Sequence, residues 1–473
     1  MQRHIAALEP CLAVIRQPES LIQAADRNLL SIISQNGIPN SIKDGGHASF
    51  LETPVGVASL VLARLVNTRS SETNSETTVN LRRYWSPSIA LLKNAVKRVV
   101  AEDADERYLD DGDSEVLYGR AGLLYSFLFL RKAVEGAKAE GSFGSLGAEE
   151  RSDIDRVIKD SNLNRLVGSI MKRGRLGAEV LAKRMRPEDP RPCLMWRWHG
   201  KAYLGGAHGV CEYQVGFSYL TTIRTHSQLE SCKCCSAVPK IPSRNTSPKS
   251  FALLSGHLDS KTLQGTGQPK PHRGRMSHQQ PLATSSSEYN GIYAPVCLTK
   301  SYTMLNRWCH GATAALILLS TVLIRQSPPH SYFTLPTSLE ERIIQALHKG
   351  AILVYDRGLL RKGVGLCHGV GGSVYALLAA STILDALPTS HPQGGGGFLK
   401  RAMHLADLAR LSGELERDGE MNPPDHPWSL YEGLAGMCCA WADVLSRWKE
   451  SETGGVQAPA KRGSGMPGYD DLI

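Results

Sequence analysis

The sequence predicts an all-α fold and, within that class, an α/α toroid: a double barrel in which amphipathic outer helices alternate with wholly apolar inner ones. Three observations carry this prediction. Apolar residues recur with helical spacing, not in alternation, along Ile89–Val100, Asn162–Ala182, Leu339–Asp356 and Phe398–Leu415. Between these lie shorter stretches that are apolar all round, Leu117–Leu130, Cys309–Ile324, Cys367–Ala380 and Trp428–Leu445, each with a glycine near its start. Those glycines keep a period, with 63 residues from Gly56 to Gly119, 58 from Gly311 to Gly369 and 64 from Gly369 to Gly433. A step of about 60 residues is one helical hairpin, so each repeat supplies one outer and one inner helix and every inner helix starts at the same end. Glycine at the start allows a tight turn and leaves room at the mouth of the ring.

Taken in order, the chain reads as one domain over residues 1–473. Polar linkers are expected at Asn67–Asn80, Glu135–Asp153 and Pro388–Gly397. His208-Gly209 opens a further unit, but it lies 90 residues after Gly119 and 102 before Gly311, more than a hairpin needs. The excess falls in residues 222–302, rich in Ser, Thr, Pro, Gln and His, which read as a disordered insertion: either a loop grown inside one hairpin or translated sequence from a splice junction. Residues 450–473 read as a loose tail.

Composition narrows the function. Fifty-four Lys and Arg against 45 Asp and Glu give +9, yet the cations are scattered, so nucleic acid is not the expected partner. Charges interrupt residues 1–20, which excludes a secretory h-region there, and the longest apolar run, Gly311–Ile324, is 14 residues where a membrane span needs about 20. Gln2 excludes a myristoylation start; peripheral membrane association stays open. Eleven cysteines, an odd number spread through a long chain, point to reduced thiols and a cytoplasmic setting. Neither a P-loop nor a dinucleotide fingerprint is present.

Cys309-His310-Gly311 and Cys367-His368-Gly369 are the most informative residues. Each opens an inner helix, so a toroid brings them together although 58 residues separate them. For either pair alone a packed thiol is the simpler reading; duplication at matching positions points to metal. Two thiolates and an imidazole suit zinc with a fourth position open, and chemistry alone does not choose between the two histidines. Such an ion would convert a thiol substrate to thiolate at neutral pH. His208 stands at the same rim, where it serves either as a proton donor or as helix-start packing. Lys362, in the flexible Arg361-Lys362-Gly363-Val364-Gly365, is either a clamp for a substrate carboxylate or a solvated cation. Glu432 either holds a substrate ammonium or favours the dipole of its helix. Cys232, Cys234 and Cys235 form a cluster without a matching second pair, and Cys438 and Cys439 read as core.

Leu117-Tyr118-Gly119-Arg120-Ala121-Gly122, Gly206-Ala207-His208-Gly209, Trp308-Cys309-His310-Gly311, Gly365-Leu366-Cys367-His368-Gly369 and Leu430-Tyr431-Glu432-Gly433-Leu434-Ala435-Gly436 run through most of the chain in one order. In these motifs the sequence resembles the eukaryotic lanthionine synthetase C-like (LanC-like) proteins. The resemblance implies seven inner and seven outer helices around one zinc, with Cys309, Cys367 and His368 as its ligands and His208 as acid/base. It also implies a glutathione site, with Lys362, Tyr431 and Glu432 at its rim, and addition of the glutathione thiol to dehydroalanine or dehydrobutyrine residues in proteins. The sequence departs from the family after His208-Gly209, where Val210-Cys211-Glu212-Tyr213-Gln214-Val215-Gly216 replaces an Ala-Gly helix start, and at Ala312-Thr313-Ala314, where Ala-Pro-Gly is usual. The first departure motivates an alternative expectation, a folded, glutathione-binding or signalling scaffold without turnover. A sugar-active toroid is disfavoured, since no convincing pair of carboxylates presents itself.

Overall fold

A computed structural model describes residues 18–42, 47–104, 114–186, 191–192, 194–198, 201–202, 205–209, 307–326, 335–452 and 465–472. The expected insertion at 222–302, with Cys232, Cys234 and Cys235, lies outside the described residues.

The fold is all-α. Helices α1 (Pro18–Asn36), α2 (Pro54–Val66), α3 (Glu76–Arg82), α4 (Trp85–Ala104), α5 (Arg120–Glu140), α6 (Ala148–Val157) and α7 (Asp160–Ala182) make the first half. The second holds α8 (Ala312–Gln326), α9 (Thr337–Arg357), α10 (Val370–Leu384), α11 (Phe398–Leu408), α12 (Ser412–Arg417) and α13 (Leu434–Glu452). Inner helices form two arcs, α2 beside α5 and α8 beside α10 beside α13; α4 and α7 back the first, α9 and α11 the second. Sequence explains the layering. In α10 the residues Val370, Val374, Tyr375, Leu377, Leu378 and Leu384 are buried round the whole circumference, whereas α7 buries one face, with Leu163, Leu166, Val167 and Ile170 as its large apolar residues and Gly174, Gly177 and Ala178 further along. Asp385, which closes α10, caps the next helix by accepting the Phe398 and Leu399 N–H groups, each at 2.8 Å. One hairpin thus hands the chain to the next at a fixed angle.

Gly369 has φ −114°, ordinary extended backbone. Its role is close approach, because the incoming loop folds back over the helix start and a methyl there would lie 2.3 Å from the Gly365 nitrogen. Turn freedom, the sequence-based reason, is not what this position needs.

Three other expectations change. The linker at Glu135–Asp153 is largely helical: α5 continues to Glu140, stops at Gly141 in the left-handed region (φ +79°), and α6 begins at Ala148. The exposed Lys138–Asp155 pair at 3.3 Å joins the two helices, so the polar sequence marks a solvated face rather than a loop. A two-stranded hairpin, Arg197–Trp198 with Lys201–Ala202, stands before His208. It is anchored on α7 by Met195 N–H to Gly174 O (2.8 Å) and Trp196 Nε1–H to Ile170 O (3.0 Å). Cys438 is exposed and Cys439 half-buried, so neither is core. Among the described residues no helix is long and apolar enough to cross a membrane.

Within the loose tail expected at 450–473, the described residues are 450–452 and 465–472. α13 continues to Glu452, and residues 465–472 are docked, with Met466 and Tyr469 fully buried. Asp471 accepts from the Tyr125 hydroxyl at 2.9 Å, and its carbonyl accepts from Lys132 at 2.8 Å. Two apolar side chains outweigh the polar composition that made the segment read as tail.

Burial pushes the Asp470 carboxyl up to about 7, helped by Asp471 and Asp443 and opposed by the Met466 N–H; burial likewise pushes Asp471 up to about 6 against the Tyr125 hydroxyl. A carboxyl raised on folding contributes stability that is whole below about pH 4 and is lost as pH climbs through the raised value. The groups facing the pair are Asp443, Lys132, Tyr125, Tyr375, Tyr431 and Cys439, and of these only Lys132 is cationic. Folding stability should therefore fall between pH 5 and pH 8 by on the order of 3 kcal/mol, which a falling melting midpoint would report. An Asp470→Asn chain should show a flatter profile; an equally steep one would contradict the assignment.

Candidate functional site

Each inner helix is preceded by a short loop, and the loops are stitched edge to edge by backbone hydrogen bonds. Gly206 N–H reaches Trp308 O (2.9 Å), Trp308 N–H reaches Cys367 O (3.0 Å), and Cys367 N–H reaches Tyr431 O (2.8 Å). On the other arc Ala48 N–H reaches Tyr118 O at 2.9 Å. The contact between the His208 and Cys309 loops leaves no room for a side chain, since a methyl at Gly205 would fall 2.0 Å from Cys309 O. The residue just before five of the six repeat glycines is therefore carried to one rim: Tyr118, His208, His310, His368 and Glu432; before Gly56 stands Val55, which is fully buried. Four positions before the same glycines stand Glu52, Glu115 and Arg307. Sequence reading singled out part of the first set and missed the second, although the same repeat register identifies both.

Cys309 and Cys367, both buried, meet across their loops with the thiols within hydrogen-bonding reach. Donation from Cys367 holds the Cys309 thiol well below the usual thiol range, with the His310 imidazole adding to the effect; Cys367 is pushed up by that same bond and by burial. His368 is half-buried, and burial lowers its imidazole, partly offset by the charges of Cys309 and Glu432. The donor set suits zinc: two soft sulphurs from facing loops, with an imidazole next to each. Among the described residues no three such groups close on a single point. His310 is the imidazole that hydrogen-bonds Cys309, while His368 acts on it through charge alone.

His208 lies opposite and is buried. Its Nδ1 is 2.7 Å from Glu115 Oε2, and its ring stacks on Trp198 with centroids 3.8 Å apart and planes within 11°. Glu115 is itself fixed, its other oxygen accepting the Tyr118 N–H at 2.7 Å. The carboxylate and the indole together set the imidazole plane and engage Nδ1. The His310 ring is 5.3 Å from His208, so the pair and the thiols share one chamber. Neither Glu115 nor Trp198 was among the sequence candidates. Glu115 carries the register signal just described; Trp198, on the unexpected hairpin, carries none.

Lys362 is exposed, on a turn held by Asn422 N–H to Arg361 O (2.6 Å) and Arg361 Nη2 to Gly419 O (2.6 Å). It is near enough to His368 to disfavour its charged form, as is Arg307. Glu432 is half-buried, and among the described residues no donor hydrogen-bonds its Oε2; the exposed His426 is 3.9 Å away. Glu432 also raises the Glu52 carboxyl, although burial is the larger cause there. The structure does not bring the Tyr431 hydroxyl to the rim. That group is turned inward and donates to Pro467 O at 3.0 Å, and the ring is buried against Trp308. What Tyr431 offers the site is its carbonyl.

The lanthionine synthetase C-like family model matches residues 282–451, the stretch that contains both Cys-His-Gly loops and Glu432. In this stretch the chain is similar to the LanC-like proteins. Glutathione S-transferase LANCL1 of Danio rerio is 27% identical to it over 331 residues, 70% of this chain and 59% of the relative. LanC-like protein GCL1 of Arabidopsis thaliana is 27% identical over 356 residues, 73% of this chain and 60% of the relative. The chain thus spans about three-fifths of the length of the curated relatives it matches.

Proposed function

We propose that this chain is a LanC-like, zinc-dependent glutathione transferase that joins the glutathione thiol to dehydroalanine or dehydrobutyrine residues of proteins. The observation that carries the reading is the meeting of the Cys309 and Cys367 thiols in one chamber with the oriented His208–Glu115 pair. The glutathione S-transferase relative supplies the substrate class. Cys309, Cys367 and His368 would hold the ion. When bound, zinc supplies thiol activation, favouring the deprotonated sulphur at neutral pH. Lys362 would pair with a glutathione carboxylate, and the under-satisfied Glu432 carboxylate with its ammonium. In the addition a C–S bond forms at the β-carbon of the dehydro residue, the C=C bond is lost, and the α-carbon takes a proton from His208 Nε2, which the thiol proton replaces. A reducing compartment such as the cytoplasm keeps the four free cysteines among the described residues in thiol form.

The departure after Gly209 favours a second reading, a LanC-like scaffold that binds glutathione without turnover. One experiment separates the two. The full chain is assayed for zinc content, for glutathione binding by calorimetry, and for adduct formation on a dehydroalanine peptide by mass spectrometry. One zinc, binding and adduct are expected. Binding without adduct establishes the scaffold, and a folded chain without zinc or binding overturns both.

A further inference from the structure

Residues 465–472 lie behind the thiols, surrounded by inner helices of both arcs. Asp471 is held by Tyr125 and Lys132 of α5, while Asp470 feels Asp443 of α13 and acts on Tyr375 of α10. Toward the thiols the segment makes two contacts. The Tyr469 ring, 1% exposed, meets the Trp308 indole edge-on, with centroids 5.1 Å apart and planes at 87°. Pro467 O takes the Tyr431 hydroxyl, and the Tyr431 ring meets the same indole at 5.1 Å and 62°. Trp308 is therefore gripped between two tyrosine edges, one belonging to the segment and the other tied to it.

The grip matters because of what Trp308 does. It is fully buried, and among the described residues no acceptor reaches its indole N–H, so aromatic packing fixes the ring. Its backbone N–H holds Cys367 O and its carbonyl holds Gly206 N–H, while the next residue is Cys309. The carbonyl of Tyr431 takes the Cys367 N–H. Both cysteines are thus one covalent link or one hydrogen bond away from an aromatic residue whose position the segment sets.

We propose that residues 465–472 are a working part of the thiol site, with Tyr469 a positioning residue that holds Trp308 and through it the spacing of the Cys309 and Cys367 sulphurs. The proposal rests on the zinc reading above but adds a residue that no motif contains. A plug that merely fills the ring would affect stability and leave the sulphurs where they are.

The test compares the full-length native chain with Tyr469→Phe, Tyr469→Leu and Tyr469→Ala. Zinc affinity is read by competition with a chelating dye, and geometry from the thiolate-to-cobalt charge-transfer band of the cobalt-substituted chain. Tyr469→Phe, which keeps the edge, should match the native chain. Tyr469→Ala and Tyr469→Leu should bind zinc at least about tenfold more weakly, with a diminished band and unchanged helix content. Native affinity and band in both Ala and Leu chains, with only a lower melting point, would overturn the proposal; the Leu chain decides if the Ala chain does not fold. Should the native chain take up no metal, the zinc reading fails, and the spacing is then judged by diamide oxidation of Cys309 to Cys367, read by peptide mapping. Cross-linking about tenfold slower in the Leu chain than in native and Phe chains supports positioning; equal rates refute it.

Discussion

A Cys309→Ala chain should lose zinc and glutathione addition together. Cys309 is the hydrogen-bond partner of both Cys367 and His310, so its removal deletes one soft donor and the link between the two loops at once. Loss of an outer-shell partner to a ligand typically costs 10–100-fold in metal affinity or activity, so loss of the ligand itself should cost more than about a hundredfold in each. Cys367→Ala should behave alike. The histidines separate the local geometry from the family resemblance: His368→Ala should lose the metal as fully as the cysteine variants, and His310→Ala should keep most of it. If His310→Ala loses the metal and His368→Ala retains it, the hydrogen-bonded imidazole is the ligand and the assignment reverses. Adduct formation undiminished in Cys309→Ala would remove the thiol pair from the mechanism altogether.

The ring was legible because inner helices are apolar on every side and must each begin where a loop folds back on itself. Both demands leave marks at short range, the all-round apolar runs and the glycines near the 60-residue step. The same regularity put Cys309 and Cys367 in corresponding loops, so their meeting followed from the fold. What escaped reading lies where no repeat acts. Residues 465–472 hold only two large buried side chains, Met466 and Tyr469, too few to show periodicity. Trp198 reaches His208 on a hairpin of two-residue strands, shorter than any alternation that could announce it. The resemblance implied a rim position for Tyr431 beside Glu432, but neighbouring residues at a helix start point apart, and the Tyr431 hydroxyl faces the core. The charged rim residues were harder still, since Glu52, Glu115 and Arg307 share a register with glycines and a serine in the other repeats.

Glu115 is the residue whose omission matters most, and the second large effect is expected along its contact with His208. Replacing His208 by Asn should lower kcat by about 10²–10⁴, the range of a general acid or base, while zinc content and glutathione affinity stay native. Glu115→Gln should lower kcat less, on the order of tenfold, with KM unchanged. The reason is the division of labour between the ring nitrogens. With Nδ1 facing Glu115 Oε2 at 2.7 Å, the proton for the α-carbon is carried on Nε2, and the carboxylate steadies the imidazole while it is cationic. A neutral amide keeps the shape and withdraws that charge. Because the Glu115 oxygen that accepts the Tyr118 N–H keeps an acceptor in Gln, the loop should stay in place and the change should appear in kcat alone. Trp198→Ala, which frees the imidazole plane without touching charge, should also lower kcat. Stopped-flow measurement of adduct formation on a dehydroalanine peptide separates these outcomes. If His208→Asn turns over at the native rate, the proton reaches the α-carbon from another donor and the Glu115 pair is structural.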